Sequence, residues 1–171
     1  MIREKGKNIV LIGMPACGKS VTGVVLAKTL KMKFVDVDLM IQDKAGKGLQ
    51  DIINEDGIDA FKALEEEVLM SVDVKNTVIA TGGSAVYYLR AMKHLQEGGT
   101  VVYIKASLKA IKKRLRNIKT RGVAMGKDQT LDDLYAIRVP LYEKYADITV
   151  NSDRYSMEKT VEAIIAAIRS V

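Results

Sequence analysis

The sequence is poor in the residues that mark disulfide-rich, metal-caged or fibrous proteins. Its 171 residues include one cysteine, two prolines, one histidine and no tryptophan. A single cysteine cannot form an internal disulfide and is too few for a cysteine metal site, which agrees with a reducing compartment. So few prolines exclude a collagen-like chain and a proline-rich disordered chain.

Long apolar segments are also missing. The longest early apolar run, residues 9–14, is far shorter than the ~20 residues that a membrane-spanning helix needs. This part of the chain also lacks the longer apolar region and the small-residue cleavage site of a signal peptide. We therefore expect a cytosolic protein with no membrane partner.

The overall composition is that of a globular protein. Hydrophobic residues make up 48% and charged residues 28% of the chain, and the length suits a single domain over residues 1–171, which we expect to be monomeric. The 27 basic and 21 acidic side chains give a net charge of +6, which suits anionic ligands. Charge alone does not choose between ATP and nucleic acid.

Short β-branched segments alternate with segments that carry apolar residues at helical spacing. The predicted strands lie at residues 8–12, 33–38, 77–83, 100–106 and 147–151. This alternation predicts an α/β fold with a five-stranded parallel sheet flanked by helices. Ligands of such sheets bind at the carboxyl ends of the strands, where the sequence places Gly13, Asp36, Asp38, Gly82 and Gly83.

The segment GMPACGKSVTG, residues 13–23, matches the P-loop pattern G-x-x-x-x-G-K-[ST] between a predicted strand and a predicted helix. Its backbone amides are expected to surround the β-phosphate of ATP, with Lys19 reaching the β- and γ-phosphates and Ser20 binding Mg²⁺. Cys17 is interpreted as a small residue that fills space. The predicted nucleotide-binding residues are Gly13, Met14, Pro15, Ala16, Cys17, Gly18, Lys19, Ser20 and Val21.

Asp36 and Asp38 indicate what kind of group receives the phosphate. They are two residues apart in a predicted strand, so we expect both carboxylates on one face, looking into the cleft. One can anchor Mg²⁺ while the other orients an acceptor hydroxyl and takes its proton. This pair favours a kinase over a GTP switch or a motor.

These motifs together resemble the shikimate kinase family. The segments GMPACGKS, FVDVD, DAFKALEE, ATGGSAV and RVPLYEKYAD occur in the order and spacing of that family and cover nearly the whole chain. The resemblance implies a P-loop NTPase fold of the nucleoside-monophosphate-kinase type with a mobile lid. It also implies ATP and Mg²⁺ as cosubstrates and transfer of the γ-phosphate to a hydroxyl of shikimate, in aromatic amino-acid biosynthesis.

The resemblance also implies roles for single residues. Lys19 and Ser20 match the phosphate and magnesium residues, Asp36 and Asp38 match the acid pair, and Asp38 is the one that meets the substrate. It implies a substrate-binding helical region at about residues 36–65 and a lid at about residues 119–130. The further residues that it implies are Gly82, Gly83 and Arg138 for the substrate and Arg121, in the lid, for the transferring phosphate.

The sequence departs from the family pattern in three places, all of them on the acceptor and lid side. Lys62 replaces an arginine after Phe61, which matters because an ammonium does not grip a carboxylate with two parallel bonds. Ser84 replaces a third glycine and places a hydroxyl beside the acceptor. After Arg121 the family commonly continues with proline and leucine, but Gly122 and Val123 follow here.

These departures leave other acceptors open, such as homoserine or a sugar acid, bound next to the same phosphate site. Lys62 can also be explained by pairing with a glutamate one turn away. A nucleic-acid-binding P-loop protein is the alternative from another class, because residues 105–121 are rich in lysine and arginine. That segment contains a core stripe and no aromatic residues, so a basic solvent-exposed helix explains it better.

Overall fold

The computed structural model describes residues 7–116 and 123–170. Within these residues the β-branched segments form one five-stranded sheet, as the sequence predicts. The strands are β1 (Asn8–Ile12), β2 (Lys33–Asp36), β3 (Thr77–Ala80), β4 (Gly99–Lys105) and β5 (Ile148–Asn151).

All neighbouring strands are parallel, in the order β2-β3-β1-β4-β5. Strand β1 is the central strand of this order. All five of its residues are buried, as expected for a strand with neighbours on both sides. Its Ile9 pairs with Val78 on one side and with Thr100 on the other. The chain therefore leaves β1 at a topological switch point, where an α/β sheet opens a crevice at its carboxyl edge.

Helices pack on this sheet and share one continuous hydrophobic core with it. Helix α1 contacts both β3 and the last helix of the chain. The α-helices of the described residues are α1 (Lys19–Leu30), α2 (Val37–Ala45), α3 (Leu49–Asp56), α4 (Ile58–Ser71), α5 (Leu89–Gly98), α6 (Leu108–Arg116), α7 (Leu131–Tyr145) and α8 (Met157–Ser170). In residues 7–116 and 123–170, none of them is long and apolar enough to cross a membrane.

The acid pair does not lie on one strand, and this prediction is wrong. Strand β2 ends at Asp36, and α2 begins at Val37, so Asp38 lies in the first turn of a helix. The reason is a local hydrogen bond: the carboxylate of Asp36 accepts from the backbone N–H of Asp38 and caps α2. Asp38 reaches the cleft from a helix N-terminus.

Two further residues join or continue helices. Pro140 lies inside α7, which runs through it as one element of 15 residues. His94 is half-buried, with Nε2 2.7 Å from the carbonyl oxygen of Val72, so it helps to join α5 to the end of α4.

Candidate active site

The P-loop runs from the end of β1 to the start of α1 and is shaped by left-handed backbone. Gly13 has φ 148°, and a Cβ there would lie 2.7 Å from the carbonyl oxygen of Ile104, so no larger residue fits. No side chain caps the N-terminus of α1, whose preceding residue is Gly18. The first-turn amides are thus left for an anion, with the positive end of the helix dipole behind them.

Lys19 lies at the start of α1 and is buried against the loop. Its Nζ donates to the carbonyl oxygens of Gly13 at 2.7 Å and Met14 at 2.8 Å, and lies 3.7 Å from the Sγ of Cys17. Only 7% of the residue is exposed. A buried ammonium held by neutral acceptors keeps its charge available for a phosphate at the loop.

Ser20 and Asp36 are brought together although they lie on different elements. The hydroxyl of Ser20 donates to Oδ2 of Asp36 at 2.6 Å, while Oδ1 of the same carboxylate caps α2. Both oxygens are hard ligands of the kind that Mg²⁺ prefers. The residues described include no group of three or more histidine, cysteine or acidic side chains that could hold a metal.

One side of the cleft is lined by the glycines after β3. A Cβ on Gly82 would lie 2.7 Å from Oε1 of Glu65 and 2.9 Å from Oδ1 of Asp38. A Cβ on Gly83 would collide with the ring of Pro15 at 2.8 Å. Glycine is therefore required here by close approach, and its backbone faces the cleft without a side chain in between.

Arg138 enters the same cleft from α7 and is only 1% exposed. Its Nε donates to the hydroxyl of Tyr87 at 3.1 Å, and its Nη2 donates to the carbonyl oxygen of Ala124 at 2.8 Å. The guanidinium also lies 5.2 Å from the centre of the Tyr87 ring. Among residues 7–116 and 123–170, no carboxylate forms an ion pair with Arg138. A buried cation with no carboxylate of the described residues within ion-pair distance is suited to an anionic ligand.

The sequence-predicted site residues do not all reach the cleft. Lys62 is exposed on α4 and is not part of the cleft wall, so its acceptor role stays a prediction. Val21 is 58% exposed on α1. Arg121 lies outside the described residues. The predicted residues that line the cleft are Pro15, Lys19, Ser20, Asp38, Gly82, Gly83, Ser84 and Arg138.

Glu65 is the site residue that sequence reasoning missed. It is fully buried on α4, lines the cleft, and accepts hydrogen bonds from Ser84 and Tyr88. Burial raises its pKa above the ordinary value of 4.5, and the charge of Asp38 adds to this, while the two hydroxyls and Arg138 oppose it. The signal was present in the sequence, since Glu65 follows Phe61 by one turn on the buried face of the helix.

Two more side chains were passed over. Tyr142, fully buried on α7, donates to the carbonyl oxygen of Gly83 at 2.6 Å and so fixes the glycine turn. Arg114, in the basic segment on α6, is half-buried and donates from Nη1 to the carbonyl oxygen of Ala16 at 3.1 Å. At least this cation of the basic segment is directed at the P-loop and not at solvent.

Comparison with known proteins identifies the family of this chain. A family model described as Shikimate kinase matches residues 15–169. A shikimate kinase from Sulfurihydrogenibium sp. is 33% identical over 164 residues, which cover 95% of this chain and 98% of the relative. One from Chlorobium chlorochromatii is 35% identical over 174 residues, covering 95% of this chain and 91% of the relative.

The fold is similar to solved structures as well. Shikimate kinase from Acinetobacter baumannii in complex with shikimate has a TM-score of 0.87 and 31% identity, over 96% of this chain and 93% of that one. The predicted parallel sheet and P-loop kinase fold are confirmed. Because the family model spans nearly the whole sequence and the relatives match over nearly their full lengths, the chain belongs to the shikimate kinase family.

Proposed function

We propose that this chain transfers the γ-phosphate of ATP to a hydroxyl of shikimate. The observation that carries the proposal is the composition of one cleft, which joins Lys19 of the P-loop to the carboxylates of Asp38 and Glu65 and to the buried guanidinium of Arg138. Phosphate, hydroxyl and carboxylate groups of the two substrates each find a chemically matched partner there.

The phosphate side uses backbone and charge. The uncapped amides at the start of α1 bind the β-phosphate, and Lys19 exchanges its carbonyl partners on Gly13 and Met14 for phosphate oxygens. Ser20 and Asp36 would hold Mg²⁺, since their oxygens are already 2.6 Å apart. When bound, the ion neutralises charge on the β- and γ-phosphates.

The acceptor side orients a hydroxylated acid. Arg138 binds the carboxylate with its guanidinium fork, and Asp38 accepts a hydrogen bond from the reacting hydroxyl. As this oxygen bonds to the γ-phosphorus, the bond to the bridging oxygen breaks, ADP leaves with the electron pair, and Asp38 takes the proton. A loose transition state asks little of this base beyond its position, so an ordinary aspartate suffices.

We propose that a lid lies at about residues 119–130, of which Val123 and Ala124 line the cleft. Arg121, outside the described residues, is proposed to stabilise charge on the transferring phosphate. We further propose that the chain is a single kinase domain with its substrate-binding helical region at residues 36–65. It is proposed to act as a monomer in the cytosol, without a nucleic-acid or membrane partner.

The test is ADP release with MgATP against shikimate, homoserine, gluconate and no acceptor in parallel. We expect turnover that saturates with shikimate, and none in a Lys19→Met variant that keeps the side-chain stem but loses the charge. Turnover with homoserine or gluconate and not with shikimate would overturn the proposed acceptor. Turnover by folded Lys19→Met at the wild-type rate would overturn the phosphate site.

A further inference from the structure

The two carboxylate oxygens of Glu65 have different environments. Oε2 accepts hydrogen bonds from the hydroxyl of Ser84 and from that of Tyr88, the latter at 2.8 Å. Oε1 is buried and has no hydrogen-bond partner within residues 7–116 and 123–170. A buried carboxylate oxygen without a hydrogen-bond donor costs free energy. It is therefore unusual that both of these donors bind Oε2 and neither binds Oε1.

The unpartnered oxygen lies at the acceptor side of the cleft. Oε1 of Glu65 and Oδ1 of Asp38 lie 2.7 and 2.9 Å from the same point, the position of a Cβ on Gly82. Asp38 belongs to α2 and Glu65 to α4, and the positive charge of Arg138, on α7, acts on the Glu65 carboxylate. A molecule with two hydroxyls in this space could donate one hydrogen bond to each acid.

The hydroxyls that donate to Oε2 come from the two residues that flank a short 3₁₀ turn. Ser84 is 4% exposed and precedes a 3₁₀ turn at Ala85–Tyr87, and Tyr88 lies directly after that turn. The pKa of Tyr88 is raised by burial and by the charge of Glu65, so its hydroxyl stays a donor. Because the turn holds both donors, Glu65 cannot rotate without giving up two hydrogen bonds.

We propose that Ser84 and Tyr88 are positioning residues that hold Oε2 of Glu65 and thereby keep Oε1 turned toward the cleft. There Oε1 accepts a hydrogen bond from an acceptor hydroxyl other than the one that is phosphorylated. This deepens the proposed function and rests on it, since it takes the acceptor to carry several hydroxyls. Holding Oε1 in this place adds selectivity for a polyhydroxylated acceptor.

The test compares Ser84→Ala and Tyr88→Phe with the wild type, using shikimate and its monodeoxy analogues, each lacking one hydroxyl. Ser71→Ala is the matched control, because it removes a serine hydroxyl from the same helix as Glu65, where it bonds only to the carbonyl oxygen of Val68. Urea unfolding of each variant establishes that it is folded. Turnover of the wild type with shikimate tests the proposed function first, and the variants are compared with whichever acceptor the wild type phosphorylates.

We expect each variant to raise KM for the full acceptor by about two- to tenfold, the usual loss for one neutral hydrogen bond. The KM for ATP should not change, and neither should that for the one deoxy analogue that lacks the hydroxyl facing Oε1. Ser71→Ala should match the wild type. An equal rise in KM for every analogue would mean that Ser84 and Tyr88 have only a structural role, which would overturn the proposal. An unchanged KM in both variants would also overturn it.

Discussion

Replacing Arg138 with lysine separates its charge from its geometry. The wild-type guanidinium is buried, bonded through Nε to Tyr87 and through Nη2 to Ala124. An ammonium keeps the positive charge but not the planar fork, so it can make at most one well-aligned bond to a carboxylate. We therefore expect Arg138→Lys to weaken acceptor binding specifically.

The magnitude follows from the number of bonds lost. One charge-assisted hydrogen bond contributes about 1.5–3 kcal/mol, which corresponds to a fall of about 10- to 150-fold in kcat/KM for shikimate. The carbonyl of Ala124 also loses its donor, and Ala124 is only 8% exposed. An unsatisfied buried carbonyl costs about 1–3 kcal/mol, so the free energy of unfolding should fall by a similar amount.

The assay is the initial rate of ADP release with shikimate varied at saturating MgATP, and then with ATP varied at saturating shikimate. We expect KM for ATP to stay at its wild-type value. Arg169→Lys, an exposed substitution of the same kind on α8, serves as the control and should change neither constant. A folded Arg138→Lys variant with wild-type kcat/KM for shikimate, or with equal losses for both substrates, would refute the role of Arg138 as the carboxylate-binding group.

Three further changes test the rest of the site. Asp38→Asn should lower kcat by about 10²- to 10⁴-fold in a folded protein, because the amide cannot take the hydroxyl proton; a kcat near the wild-type value would remove Asp38 from the chemistry. Lys62→Arg should lower KM for shikimate if the exposed Lys62 turns toward the acceptor, and an unchanged KM would place it outside the site. Glu65 has a raised pKa, so its favourable contribution to folding is present below pH 4.5 and is lost as the pH rises through the raised value. Relative to the wild type, the free energy of unfolding of Glu65→Gln, measured by urea titration, should therefore increase as the pH rises above 4.5. A difference between the two proteins that stays constant with pH would contradict the raised pKa.

Local patterns in the sequence determined the fold and the place of the P-loop. Strands were predictable because short β-branched runs such as residues 77–80, with both faces buried, are typical of a parallel sheet. Gly13, Lys19 and Ser20 could be named as P-loop residues because the motif is contiguous in the sequence, and it lies between β1 and α1 in the structure. Such features depend on neighbours in sequence and survive without knowledge of the packing.

The acceptor side depended on contacts between distant elements. Strand β2 ends at Asp36, whose carboxylate caps α2. Asp38 therefore lies in the first turn of that helix and lines the cleft from there. In the sequence, Glu65 is one of several glutamates of a predicted helix. Its burial depends on the packing of α4 against Ser84 and Tyr88, which lie 19 and 23 residues away. Arg138 was matched by resemblance, but its burial is a tertiary fact. The sequence by itself therefore determined the fold and the P-loop motif, while the tertiary structure alone decided which carboxylates line the cleft, because burial and the direction of a side chain are set by residues far apart in the chain.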